Sequence, residues 1–387
     1  MSLFIKGRKH TYHILEDKLK SSDKVIWVHT ASLGEFEQGL PIIEALKKEY
    51  TNYKILVSFF SPSGYEIKKD TTAADAVVYL PLDTQTNAKK FIKAAHPSLA
   101  IFIKYEIWPN YFAEIKANQI PLIVASAIFK EKQIYFKSYG GYMKKALTHV
   151  THFFVQNTIS KTLLQRIGLN NVTISGDTRF DRVSKILERD NRLSFMDSFT
   201  EDHRCLVFGS SWPEDEAIFI PYINQNTTTL KYVIAPHNIK PHHIQSLKEK
   251  IQKKVICFSE LQQQPLQSYN VLIIDTIGLL TKIYSYADIA YVGGGFKTGL
   301  HNTLEPAVFG IPIIIGPHFN GFNEAEELVE AKGIKSIISK DEFTKHLNIL
   351  LEQSDVYQKT CDINKTYVQQ NLGATTKIVS FIKTQIS

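Results

Sequence analysis

Short apolar runs alternate with stretches of helical character along the chain, and the alternation starts afresh near the middle. Val25–His29 reads as a strand, followed by a glycine turn and a helix near Glu35–Tyr50. Lys54–Phe59, Ala76–Leu80, Leu99–Ile103, Pro121–Ala125 and His152–Val155 continue the series. A second series runs through Cys205–Gly209, Lys231–Ala235, Val255–Phe258, Val271–Asp275, Ile289–Val292 and Ile311–Ile315. Strands separated by about 10–15 helical residues form parallel sheets of βαβ units, because a parallel pair needs a crossover that a tight turn cannot supply.

The polar, charged segment Asp181–Asp202 separates the two series and is read as the linker. The expectation is an α/β chain of two Rossmann-like, doubly wound parallel-sheet domains facing each other across a cleft, residues 1–185 and 186–387. No sequence repeat relates the halves. The last helix is expected over Thr375–Ile386. Ligands of such folds bind beyond the carboxyl ends of the strands.

Composition narrows the function classes. No apolar run in the 387 residues approaches the roughly 20 that a membrane-spanning helix needs. Cys205, Cys257 and Cys361 are far apart, which argues against a disulfide framework or a cysteine metal site and suits a reducing compartment. His242 and His243 are adjacent, cannot both face one ion from a regular helix, and read as surface residues. No His, Asp and Glu grouping has metal-ligand spacing, so neither a metal nor a cofactor is expected. The net charge of +7 favours an anionic partner. Zinc-finger spacing and RNA-binding signatures are lacking, so nucleic acid is not the expected partner. The start, Met1-Ser2-Leu3 leading into Phe4-Ile5-Lys6-Gly7, has no signal-peptide pattern.

The most informative stretch is Tyr291-Val292-Gly293-Gly294-Gly295-Phe296-Lys297-Thr298-Gly299-Leu300-His301-Asn302-Thr303-Leu304-Glu305-Pro306, a strand, a glycine loop and a helix start. Glycines such as Gly294 and Gly295 let a ligand approach the backbone closely, and a helix start near Asn302 offers unpaired N–H groups to a phosphate. Glu305 is placed to bond ribose hydroxyls. Asn302 and Glu305 also have the spacing of a capping box, the plainer reading. Asp275-Thr276, Gly316-Pro317-His318 and Asn320–Asn323, each after a neighbouring strand, favour a ligand site.

In the first half, Ser32-Leu33-Gly34-Glu35 sets Glu35 just past a strand at a helix start, where a general base would face the cleft. Ser32 and Glu35 again have capping-box spacing, which is the competing reading. Glu106, in Lys104-Tyr105-Glu106-Ile107-Trp108-Pro109-Asn110, follows another strand and is a second candidate, to orient an acceptor or Lys104.

These motifs resemble those of the transferases that add 3-deoxy-D-manno-octulosonic acid (Kdo) to a lipid A precursor. The family's SxGE pattern matches Ser32–Glu35, and its E-L/I-W-P-N matches Glu106–Asn110. Its S-A-R segment is Ser126-Ala127-Ile128, and its G-N-x-K-F-D is Gly176-Asp177-Thr178-Arg179-Phe180-Asp181. S-T-H-x-G-E-E is loosely matched by Ser210-Ser211-Trp212-Pro213-Glu214-Asp215-Glu216, and D-T-x-G-E-L by Asp275–Leu280. G-G-S…G-G-H-N-P-L-E-P is Gly293–Gly295 with Gly299–Pro306. The likeness runs in order from about residue 5 to 330.

The resemblance implies a GT-B fold, a CMP-Kdo donor, a lipid A precursor as acceptor, inversion at the transferred carbon, no catalytic metal, and Glu35 as general base. It places the acceptor with the first domain and the nucleotide-sugar with the second, at the cytoplasmic face of the inner membrane. The leaving phosphate needs hydrogen-bond donors. The helix start at Asn302, the Ser210-Ser211 loop, His237 and Arg179 are the candidates. His237 stands where the family has arginine in A-P-R-H, Arg179 where it has lysine, and Ile128 where it has the arginine of S-A-R. A short hydrophobic anchor usual in the family has no counterpart here, and the expectation is that an N-terminal segment is missing.

Phe129–Leu147 interleaves Lys130, Lys132, Lys137, Lys144 and Lys145 with Phe129, Tyr135, Phe136, Tyr139, Tyr142 and Met143, and reads as a basic aromatic helix for a membrane interface or for the phosphates of the acceptor. Packing of that helix on its own sheet is the alternative. Two other functions compete: a GT-B transferase or epimerase using a UDP-sugar, and a non-catalytic nucleotide- or nucleic-acid-binding protein.

Overall fold

The computed structural model describes residues 7–262, 264–297 and 299–386. Met1–Lys6 and Thr298 of the glycine loop, both read above, lie outside the described residues. The chain divides into two units, Met1–Arg182 with Asn371–Ser387, and Val183–Gln370.

The first unit holds seven parallel strands: β1 (Lys24–Thr30), β2 (Tyr53–Phe59), β3 (Ala76–Tyr79), β4 (Pro97–Ile103), β5 (Leu122–Ala127), β6 (His152–Val155) and β7 (Val172–Ile174). Their order is β3-β2-β1-β4-β5-β6-β7. The apolar runs are nearly continuous because helices cover both faces. Successive side chains alternate between those faces. Val25 and Trp27 of β1 join one core with Leu56, Phe102 and Val124. Ile26 and Val28 join the other with Val57, Ile101 and Ile123.

The helix Ala374–Ile382 belongs to that second core, with Ile378 and Ile382 fully buried beside Phe36 and Ile42 of the helix Leu33–Glu49. This corrects the sequence-based division: the boundary lies at 182/183, close to the expected 185/186, but residues 371–387 return to the first unit. Their apolar stripe finds its partner there. The expected linker is partly helical, over Thr178–Ser184 and Ser194–Thr200.

The second unit repeats the plan with β8 (Cys205–Ser211), β9 (Lys231–Pro236), β10 (Val255–Cys257), β11 (Val271–Ile273), β12 (Ile289–Val292), β13 (Ile313–Ile315) and β14 (Ile334–Ser336). Their order is β10-β11-β9-β8-β12-β13-β14, again all parallel. In each sheet the chain starts from a central strand and fills first one side and then the other, with β11 in the second unit returning between β9 and the edge strand β10. The winding therefore reverses between β1 and β4 in the first unit and between β8 and β12 in the second, and ligand crevices form at such points.

The expected basic helix over Phe129–Leu147 is not one helix. A single 3₁₀ turn (Ile134–Phe136) precedes a seven-residue helix (Gly141–Leu147). Phe129 and Tyr135 are buried, and Phe136 and Met143 pack on the same core. Tyr139 and Tyr142 are 78% and 66% exposed, beside exposed Lys144 and Lys145. The segment is thus part core and part exposed aromatic–basic surface. Among the described residues no helix is long and apolar enough to cross a membrane.

Candidate active site

Both candidate carboxylates of the first unit come from the two strands that flank its switch point. Glu35 follows β1 in the first turn of the helix Leu33–Glu49, and Glu106 follows β4 in an irregular loop. The two are electrostatic neighbours. Ser32 makes no cap to its helix; its hydroxyl instead donates to the Glu35 carboxylate. The capping-box alternative for Glu35 is not what this helix start uses. Glu35 remains half-buried.

Glu106 accepts from Trp108 Nε1 at 3.0 Å. Burial pushes its carboxyl above the usual range; the Trp108 N–H opposes this, Glu35 adds to it, and Lys104 opposes it more weakly. The loop is shaped from outside itself. Asp83 Oδ1 accepts from the backbone N–H groups of Asn110 and Tyr111 at 3.1 and 3.2 Å, capping the helix Pro109–Ala117. Lys104 is in the left-handed region at φ 70°, an uncommon conformation for a residue with a side chain.

Behind the pair lies His29 of β1, fully buried. Its Nδ1 is 2.8 Å from Ser58 Oγ, which also accepts from Trp27 Nε1 at 2.7 Å. Its Nε2 has no hydrogen-bond partner and lies 4.0 Å from Glu106 Oε2. Burial lowers the His29 imidazole to about 3, so the ring is neutral at physiological pH.

Arg179 lies in the first unit, where its guanidinium pairs with Asp177 at 2.8 Å. Asp177 also accepts from Gln38 Nε2 at 2.8 Å, and Gln38 reaches Ser126 Oγ at 3.0 Å. Ser126, in the S-A-R position at the end of β5, has φ 54°. These buried polar groups hold the helix that carries Glu35. Sequence reading matched Asp177 and Ser126 to the family motifs without seeing that Gln38 joins them.

In the second unit the residues at the carboxyl ends of β8, β9 and β12 come together. Ser211 Oγ is 3.3 Å from Glu216 Oε1, which His243 Nε2 meets at 3.0 Å. Burial raises the Glu216 carboxyl, and His243 pulls it back. His243 is therefore not a free surface residue, while His242 is exposed. Ser210 has φ 54°. His237 is exposed; its ring stacks on Trp212 and on His301, with centroids 4.5 and 4.6 Å apart. Trp212 Nε1 donates to His301 Nε2 at 3.1 Å. Trp212 and His301 each stack on His237, an arrangement that the spacing of the motifs does not announce.

Gly293 allows β12 and β8 to part into the loop at close range, since a Cβ there would lie 2.3 Å from the Ser210 carbonyl oxygen. The Gly294 N–H is taken by Asp215 Oδ2 at 2.9 Å. A Cβ on Gly295 would lie 2.8 Å from the Gly316 nitrogen. Asp275 accepts from the Ser259 backbone N–H at 3.0 Å and from its hydroxyl. Glu305 accepts from Asn302 Nδ2 at 3.1 Å and from Thr281 Oγ1 at 3.2 Å.

The helix start expected to cradle a phosphate is a single four-residue turn, Leu304–Ala307, whose N-cap is Thr303. Asn302 Oδ1 accepts from the Leu304 N–H at 3.1 Å. So short a helix has little dipole to offer, and the available donors are side chains and loop N–H groups instead. Among the described residues no group of three or more His, Cys, Asp or Glu side chains is placed to hold a metal ion.

The chain has relatives among known proteins. Residues 6–182 match the family described as 3-Deoxy-D-manno-octulosonic-acid transferase (kdotransferase). The chain is 26% identical over 343 residues to the 3-deoxy-D-manno-octulosonic acid transferase of Chlamydophila psittaci, covering 86% of this chain and 78% of that one. It is 27% identical over 366 residues to the transferase of the same name from Aquifex aeolicus, covering 92% and 95%. Among solved structures, UDP-GlcNAc 2-epimerase from Neisseria meningitidis bound to UDP-GlcNAc superposes with a TM-score of 0.67 at 16% identity, over 93% of this chain and all of that one. The chain is thus a glycosyltransferase of GT-B fold whose residues 6–182 match the kdotransferase family and which is similar over most of its length to 3-deoxy-D-manno-octulosonic acid transferases.

Proposed function

We propose that this enzyme transfers Kdo from CMP-Kdo to a lipid A precursor, with inversion at the transferred carbon and without a metal. The observation that carries the mechanism is Glu35, a half-buried carboxylate beside Glu106 at the switch point of the first unit. An acceptor hydroxyl is a weak nucleophile until its proton is being removed, and Glu35 takes that proton as the sugar–phosphate bond breaks. Glu106 orients the acceptor from the β4 side.

The first unit binds the acceptor and the second binds the nucleotide-sugar. Glu305, held in place by Asn302 and Thr281, receives the ribose hydroxyls of CMP. Ser210, Ser211 and His237 surround the leaving phosphate and supply hydrogen bonds to its developing charge. The substrate is a lipid, so the enzyme works peripherally at the cytoplasmic face of the inner membrane. Exposed Tyr139 and Tyr142, with Lys144 and Lys145, provide a surface for it.

The test is incubation with CMP-Kdo and a tetraacylated lipid A precursor, followed by mass spectrometry, with UDP-GlcNAc as the donor in a parallel reaction. Addition of Kdo to the lipid, unchanged by EDTA, is the expected result. Turnover of UDP-GlcNAc alone would overturn the assignment. Loss of Kdo transfer in EDTA, restored by Mg²⁺, would overturn the metal-free mechanism.

A further inference from the structure

We infer that His29 is a positioning residue for Glu106: a buried neutral imidazole whose Nε2–H is held ready for the Glu106 carboxylate and closes on it during the reaction. This rests on Glu106 belonging to the reacting site.

The carboxylate in front of the ring and the hydrogen bonds behind it together favour one tautomer. Trp27 Nε1 can only donate, and it donates to Ser58 Oγ at 2.7 Å. The Ser58 hydroxyl proton is then directed to His29 Nδ1, 2.8 Å away. With Nδ1 accepting that proton, the single proton of the neutral ring sits on Nε2, the tautomer this inference assigns. The opposite tautomer would aim an imidazole lone pair at a carboxylate. The ring cannot rotate away, since it packs against Phe102 and Trp108 with centroids 5.0 and 5.3 Å from its own.

A donor sealed from water without a partner is costly, and such an atom calls for an explanation. The Nε2–Oε2 separation of 4.0 Å is about 1 Å longer than an N–H···O hydrogen bond. Glu106 sits in the loop that Lys104 enters with a left-handed backbone, so a small loop adjustment closes the gap. His29 is on β1 and Glu106 follows β4, the two strands that flank the switch point. The imidazole closes on Oε2, the same carboxylate oxygen that accepts from Trp108 Nε1, so two N–H donors converge on one oxygen. Glu106 then has one orientation toward the acceptor.

The groups that face Glu106 are Glu35 from the helix Leu33–Glu49, Lys104, Tyr105 and Trp108 from its own loop, Tyr135 from the 3₁₀ turn, and His29 from β1. Replacing His29 leaves the other five in place. An N–H donor favours the ionised carboxylate. Its removal makes the Glu106 carboxyl harder to ionise, so the acidic limb of kcat/KM moves to higher pH.

The experiment uses the full chain with CMP-Kdo and the lipid A precursor. His29→Phe is expected to lower turnover at neutral pH by about tenfold, the size of one charge-assisted hydrogen bond, and to shift the acidic limb upward. In the Glu106→Gln background the same change is expected to add little, because His29 acts through Glu106. ¹⁵N-edited NMR of the His29 ring in the parent should show the Nε2-protonated tautomer.

A parental pH profile in His29→Phe, with Glu106→Gln impaired, overturns the role of His29 and leaves that of Glu106 standing. Parental turnover in Glu106→Gln overturns both. An Nδ1-protonated ring overturns the inference whatever the kinetics. If His29→Phe does not fold, Ser58→Ala serves instead: it releases Nδ1, and the inference requires a mixed tautomer and a smaller shift of the same limb.

Discussion

Gln38 and Asp177 are hydrogen-bonded, Nε2 to Oδ1 at 2.8 Å, although 139 residues separate them. The bond ties the helix that begins at Glu35's turn to the loop entering the helix Thr178–Ser184. Asp177 also holds Arg179 through its backbone N–H and its guanidinium, so two residues share the carboxylate in a nearly closed space. Asp177→Ala is expected to cost about 1–3 kcal/mol of stability, because the buried Gln38 amide loses one of its two acceptors and keeps only Ser126. The same variant should lose activity beyond what its melting temperature explains, since Glu35 depends on that helix. Denaturant unfolding beside a transfer assay checks both; parental stability would show the network to be slack.

Glu35→Gln separates the base from a structural role. Ser32 donates to the Glu35 carboxylate, and an amide oxygen can accept the same bond. Turnover should fall by roughly 10²-fold or more, as for loss of a general base. CMP affinity and melting temperature should stay near parental values. Near-parental steady-state turnover would end the case for Glu35 and pass it to Glu106.

Glu305→Ala should weaken CMP binding with the second unit intact. Its partners Asn302 and Thr281 are both partly exposed, so truncation strands no deeply buried group. Calorimetric titration of CMP into the variant is the measurement, with UMP as a control for the base. Unchanged CMP affinity would remove Glu305 from the ribose role.

The exposed surface around Tyr139 and Tyr142 should bind anionic vesicles. Lys144→Glu with Lys145→Glu is expected to reduce sedimentation with phosphatidylglycerol liposomes while CMP binding persists, and added salt should weaken the parent too. Equal vesicle binding by both proteins would reduce the segment to ordinary packing. The buried Phe129 and Tyr135 make poor test sites, because changing them perturbs the core.

Stability should fall as the pH drops below about 6.5. Burial, and then His237, lower the His301 imidazole to about 4, and its Nε2 accepts from Trp212. A histidine depressed in the folded state takes up its proton more readily when unfolded. Its contribution is therefore present above the unfolded value near 6.5 and is lost as pH falls toward 4. Melting temperatures measured from pH 7 to 5 should decline, and His301→Gln should flatten that slope. An unchanged slope in the variant would assign the acid sensitivity elsewhere, with buried His29 the next group to examine.

Sequence alone exposed the two sheets because parallel strands buried on both faces leave long apolar runs, as in Ile26–Val28 and Ile313–Ile315. It missed Val172–Ile174 and Ile334–Ser336, which are three-residue edge strands too short to show a period. The positions of Glu35 and Glu106 just past β1 and β4 were legible because each motif follows an apolar strand run. Asp83, Gln38 and His29 were not, since their work is done with residues 27, 139 and 29 positions away. The phosphate-cradling helix was expected from a strand–glycine–helix pattern. It shrinks to one turn because Gly310, at φ 74°, takes the chain out of helical conformation soon after Ala307.

The return of residues 371–387 to the first unit sets an order of assembly during synthesis. A ribosome releases the seven strands of the first sheet early, yet Ile378 and Ile382 emerge only after the whole second unit has been made. Until then the patch around Phe36 and Ile42 that they cover lacks its lid, an interval in which nascent chains are open to chaperones or to misassembly. The unit begun first is the one finished last.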